Sequence, residues 1–173
     1  MANSRLTTAA IGSAIFALLI AAVAAADQSD AVRQQQKNYY LPDAAASRIV
    51  TVTKAGTASN QIIVLTEAVA VKETGPTETV SHFGEVYAFS PNFIALRRDE
   101  PTLIEFWNLQ GDDEHDFMLV DANSRVLMHI KLPPLKKLSY VFTFHQSGLF
   151  NFYCTMHPPE MSGQILVVPP EAR

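Results

Sequence analysis

From position 80 onwards, short runs of apolar and aromatic residues recur between clusters of Gly, Pro, Asn, Asp and charged residues. Runs of that length, bounded by turn residues, predict strands. They fall at 84–89, 93–96, 102–109, 117–120, 126–132, 140–144, 149–154 and 164–168. The turns between them carry Ser90-Pro91-Asn92, Arg97-Arg98-Asp99, Asp121-Ala122-Asn123, Pro133-Pro134 and Gln146-Ser147-Gly148. In the run 102–109, Phe106 and Trp107 are expected in the core. Tyr140, Phe142 and Phe144 alternate with other residues, as do Phe150, Phe152 and Cys154, so each set lies on one strand face. Strands at this regular spacing predict an all-β sandwich or barrel over 80–173.

The first half reads differently. Residues 1–26 have the form of a secretory signal: Arg5 in the leading segment, an apolar Ala-rich run over 9–23, and Ala24-Ala25-Ala26 before the polar Asp27. The apolar run is short for a spanning helix, so a cleaved signal is expected rather than an anchor. Residues 27–79 form an N-terminal extension, partly strand, with β-branched runs at 61–65 and 68–71 and a turn signal at Thr74-Gly75-Pro76. Those runs either add strands to the sandwich or serve an oligomer contact.

Composition narrows the function. The 173-residue chain carries a formal charge of −4, and removing 1–26 takes away only Arg5, leaving −4 − 1 = −5. No basic surface is implied, so nucleic acid is not expected as a partner. The chain has one cysteine, which excludes an intrachain disulfide.

That cysteine opens the most informative stretch, Cys154-Thr155-Met156-His157-Pro158-Pro159-Glu160-Met161-Ser162-Gly163. Thiolate, imidazole and thioether in one short loop make a soft ligand set, suited to copper. A trigonal copper site needs a second imidazole, and the candidate is His115, just before an apolar run. Cys154 ends a strand behind two aromatics, which places its sulfur near the apolar interior. Pro158 and Pro159 stiffen the return path, and Gly163 is expected to let the backbone turn into the last strand.

These residues resemble the C-terminal ligand loop of the cupredoxins, and the resemblance covers about 80–168. It implies a Greek-key sandwich and one Cu(I)/Cu(II) ion held by His115, Cys154, His157 and Met161. Three residues separate His157 from Met161, where members of the family have two or four. The flanks also resemble the copper domain of nitrous oxide reductase, whose binuclear centre is bridged by two cysteines; one Cys cannot build it. The implied function is an exported, periplasmic carrier of single electrons and not an enzyme. Its redox protein partners would dock near His157 within a collar of Met156, Pro158, Pro159 and Met161, and no small-molecule substrate is expected. A periplasmic copper carrier or resistance protein, and a nitrosocyanin-like copper enzyme, remain as alternatives. The former would favour Met- and His-rich tracts, which are absent. The latter would have Glu where His115 stands.

His82, His129 and His145 read as surface or strand-end histidines, and Met118 and Met128 as core. Asp112, Asp113, Glu114 and Asp116 read as a solvated acidic rim that biases recognition towards a basic partner.

Overall fold

In β5 (Thr102–Asn108) every second residue is buried, so Thr102, Ile104, Phe106 and Asn108 face inward and Leu103, Glu105 and Trp107 outward. That alternation is the pleat itself, and it recurs in the strands over 86–90 and 93–97 of a computed structural model that describes residues 39–171. The segment read as a secretory signal lies outside the described residues. No described helix is long and apolar enough to cross a membrane.

The strands are β1 (Val50–Thr53), β2 (Asn60–Ala70), β3 (Val86–Ser90), β4 (Phe93–Arg97), β5, β6 (His115–Val120), β7 (Val126–Leu132), β8 (Lys137–Phe144), β9 (Gly148–Tyr153) and β10 (Ser162–Val168). They make two five-stranded sheets, ordered β1-β8-β5-β2-β3 and β4-β10-β9-β6-β7. The pairs β2–β5 and β4–β10 are parallel and the remaining pairs antiparallel. The molecule is an all-β sandwich, as the alternation predicted. Its core is a continuous aromatic series, in which Phe89, Phe106, Phe117, Phe142, Phe144, Phe150 and Phe152 are linked by ring contacts with centroids 4.6 to 6.3 Å apart. Each such ring removes apolar area from water worth roughly 1.5–3 kcal/mol. Cys154 and Met161 belong to the same buried cluster.

Several details differ from the sequence reading. The sandwich was placed at 80–173, yet β1 and β2 precede that boundary, and β2 lies between β5 and β3. The runs at 61–65 and 68–71 fall within one long strand and its end. A short helix, α1 (Thr77–Phe83), crosses the boundary drawn at 80, beyond which only β structure is expected from the sequence. Trp107 is not in the core: it follows the inward Phe106, so it faces out, with Lys137 Nζ 3.4 Å above its ring.

Strand β6 is buried along its whole length. Its inward residues Phe117 and Leu119 join the main core, while Met118 and Val120 form a second cluster with Val126, packed by Tyr40 and Tyr153. Tyr40 reaches that outer face by pairing with His129 on β7, through N–H···O bonds of 2.7 and 3.0 Å. Its hydroxyl also donates to Val126 O at 2.9 Å.

Candidate metal centre

Strand β9 alternates Phe150 and Phe152 into the core, so Cys154, one residue beyond its end, is also fully buried. His115 is the first residue of β6 and equally buried. His157 lies on the loop between β9 and β10 and is half-buried. That loop is closed at its mouth, where Cys154 N–H donates to Met161 O at 2.9 Å, and Met161 N–H donates back to His157 O at 3.1 Å. Gly163 does not act through a left-handed backbone. A Cβ there would collide with Asn92 O and the Phe152 ring, so glycine is needed for close approach.

The three side chains converge. His115 Nδ1 lies 3.1 Å from His157 Nδ1, and Cys154 Sγ lies 4.0 and 3.6 Å from those two nitrogens. The radius of the circle through these three atoms is the product of the sides over four times the enclosed area. It is about 2.1 Å, within the roughly 2.0–2.3 Å of imidazole and thiolate bonds to a first-row divalent metal. His115 Nε2 lies 3.0 Å from Gln110 Oε1, an acceptor. The proton of the neutral ring therefore sits on Nε2, and Nδ1 offers a bare lone pair towards the other donors. The donor set thus fits a cation that prefers soft ligands. Met161 is wholly buried on the same loop, so it forms no part of an exposed collar.

Burial pushes the His115 imidazole down to about 4, aided by neighbouring His157, so the ring is neutral near pH 7. Burial likewise pushes the Cys154 thiol up to about 11, so a metal that binds the thiolate must displace its proton.

Around these residues stands a shell that sequence reading missed. Gln110 carries no functional role in the sequence reading. Its amide donates to Thr66 O at 3.2 Å, and the single hydroxyl proton of Thr66 lies between two acceptors, Gln110 Oε1 and, at 2.9 Å, Asn108 Oδ1. Asn108 in turn donates to Asp113 O at 2.8 Å and Leu132 O at 2.9 Å, tying down the turn before His115. Tyr87 packs against both imidazoles, with centroids 5.0 Å from His115 and 4.5 Å from His157, and its hydroxyl donates to Asp113. Only the alternation of Tyr87 with Phe89 hinted that it faces inward.

Asp116 overturns part of the acidic-rim reading, for it is 1% exposed while Asp112 is exposed. Its backbone N–H points at Cys154 Sγ, 3.5 Å away. Burial opposes its charge, but bonds from His129 and Thr155 outweigh that and hold the carboxyl below its ordinary pKa. His129 is buried on β7 rather than at the surface. His145 is exposed and bridges Asp99 and Thr51, and His82 lies in the last turn of α1, its ring edge-on to Phe83. Among the described residues, none of these three joins a second ligand group.

No family model and no curated protein matches the chain. Among solved structures it is similar to auracyanin B, at 15% identity over 70% of this chain and 99% of that one, with a TM-score of 0.47. Amicyanin from Paracoccus versutus matches at 16% identity over 69% and 97%, with a TM-score of 0.45. A multicopper oxidase matches at 14% identity over 65% of this chain and 45% of that one, with a TM-score of 0.50. At such identity the likeness concerns the fold, and that fold is the cupredoxin sandwich.

Proposed function

We propose that this chain is a mononuclear copper protein that carries single electrons between redox proteins. The observation that carries the reading is the convergence of His115 Nδ1, His157 Nδ1 and Cys154 Sγ around a point of metal-bond radius, on a thiolate-containing soft set. Bound there, copper supplies one-electron chemistry between Cu(I) and Cu(II). The chain's own part is to hold the donors still: Gln110 fixes the His115 tautomer, Tyr87 wedges both rings, and the closed loop mouth fixes Cys154. A site that does not rearrange keeps the cost of changing oxidation state low. Met161 would add a weak thioether donor in this reading.

His157 is the half-exposed member of the set and so the route to a partner. Met156 beside it is exposed, as are Leu109 and Leu135, which flank and bond to Gln110. Exposed apolar side chains near the centre suit a small transient redox interface, and exposed Asp112 favours a basic partner. The signal-like pattern over 1–26 supports export in this reading.

The test is the absorption and paramagnetic resonance spectrum of the Cu(II)-loaded protein, together with voltammetry. Intense visible thiolate-to-copper charge transfer, lost in Cys154→Ser, is expected, with reversible one-electron cycling. Only the weak colour of an ordinary Cu(II)–imidazole site would remove Cys154 from the ligand set. Tight Cu(I) binding without reversible cycling would favour a copper carrier.

A further inference from the structure

The Asp116 carboxylate is shut away from water, yet it joins two segments of the candidate centre. Oδ1 accepts from Thr155 N–H at 2.6 Å, and Oδ2 accepts from the Thr155 hydroxyl. Asp116 N–H donates towards Cys154 Sγ at 3.5 Å. One side chain thus pins the residue after Cys154 to the residue after His115. A buried carboxylate is tolerated only when its lone pairs are filled, and the remaining donor is His129, whose Nε2 lies 2.9 Å from Oδ2.

We propose that His129 is a positioning residue for the metal centre, holding the Asp116 carboxylate in the orientation that locks Thr155 and the backbone N–H facing Cys154. His129 Nδ1 is buried with no hydrogen-bond partner among the described residues, so the ring has one polar task, and it faces Asp116. The Tyr39 ring covers the imidazole, centroids 4.6 Å apart, and keeps water from competing for Oδ2. The backbone of His129 pairs with Tyr40 independently of the ring, so β7 does not depend on the imidazole for its edge. The purpose of the lock rests on the copper reading above; its geometry does not.

The test uses the metal-free protein and iodoacetamide at pH 8, reading the alkylation rate of Cys154. His129→Leu removes the donor and should speed alkylation about tenfold, the effect of one lost buried hydrogen bond on local opening. His129→Gln keeps an N–H donor and should stay within about threefold of the parent. Thr155→Val removes the hydroxyl from the same oxygen and should also speed alkylation. The double variant His129→Leu with Thr155→Val should be slower than the product of the single effects, because both act through Asp116. Parent-like rates in His129→Leu, or equal rates in the Gln and Leu variants, would overturn the assignment. Should the Leu variant not fold, a parent-like Gln variant beside a fast Thr155→Val upholds it, and a Gln variant as fast as Thr155→Val overturns it. A Cu(II)-loaded parent without thiolate charge transfer would sink the copper reading and leave these rates to decide the positioning role.

Discussion

Gln110 Oε1 stands 3.0 Å from His115 Nε2 and fixes which nitrogen of that ring is free for a metal. The oxygen is itself held, since Thr66 donates to it and receives the Gln110 amide on its carbonyl. Gln110→Leu should therefore lower copper affinity about 10- to 100-fold, the usual effect of losing an outer-shell partner. Gln110→Glu keeps an acceptor and should retain most of it. Competition titration with a Cu(I) chelator measures both, and equal affinities for the Leu variant and the parent would show that the tautomer is set elsewhere.

Tyr87 should matter through its ring more than its hydroxyl. Tyr87→Phe keeps the contact with both imidazoles and loses only the bond to Asp113. Tyr87→Ala leaves a void beside two ligand candidates and should cost about 3–5 kcal/mol in stability. It should also broaden the charge-transfer band. Denaturant unfolding and absorption spectra of the two variants separate these effects, and a Tyr87→Ala protein as stable as the parent would contradict the wedge.

What the chain made legible follows from range. Cys154 and His157 lie three residues apart on one loop, so their convergence could be read directly. The strand alternation was equally local. Trp107 was misplaced because two aromatics in succession cannot both face inward, and the pattern alone did not say which does. Asp116 looked like surface because its partner His129 is thirteen residues away, across β6 and β7. Thr66 supports Gln110 from 44 residues upstream, with no local signal at either end. Helix α1 spans seven residues, too few to display a helical period.

Gly163 faces Phe152 across the β9–β10 ladder, where a Cβ would meet both that ring and Asn92 O. Gly163→Ala should destabilise the fold by about 1–3 kcal/mol through overpacking. Because Phe152 lies two residues before Cys154, alkylation of the metal-free thiol should also quicken. Urea unfolding gives the first quantity, and an unchanged midpoint would refute the close-approach account.

Alkaline pH should weaken the metal-free protein. Burial raises the Cys154 thiol from 9.0 to about 11 and the Tyr40 phenol from 10.0 to about 12. The unfolded chain loses these protons first, so between about pH 9 and 12 it holds fewer than the folded one. Stability contributed by the protonated groups is fully present below about pH 9 and lost as pH rises through that window. Tyr40→Phe removes one of the two groups and should make the decline shallower. Thermal denaturation at stepped pH tests this, and a midpoint constant from pH 8 to 11 would count against it.

Met161 is the ligand candidate whose role turns on reach. Its backbone is bonded to Cys154 and His157, and its side chain is wholly buried in the cluster that holds Cys154. An axial thioether binds weakly, so it should tune the centre more than hold it. Met161→Leu conserves volume and should keep copper and colour while raising the reduction potential, because losing the sulfur disfavours Cu(II) more than Cu(I). Met161→Gln offers a harder oxygen donor and should lower it. Voltammetry of the three proteins orders them as Leu above Met above Gln. Identical potentials and spectra would show that Met161 only fills the core, and Met156 and Glu160 on the same loop would be the next residues to replace.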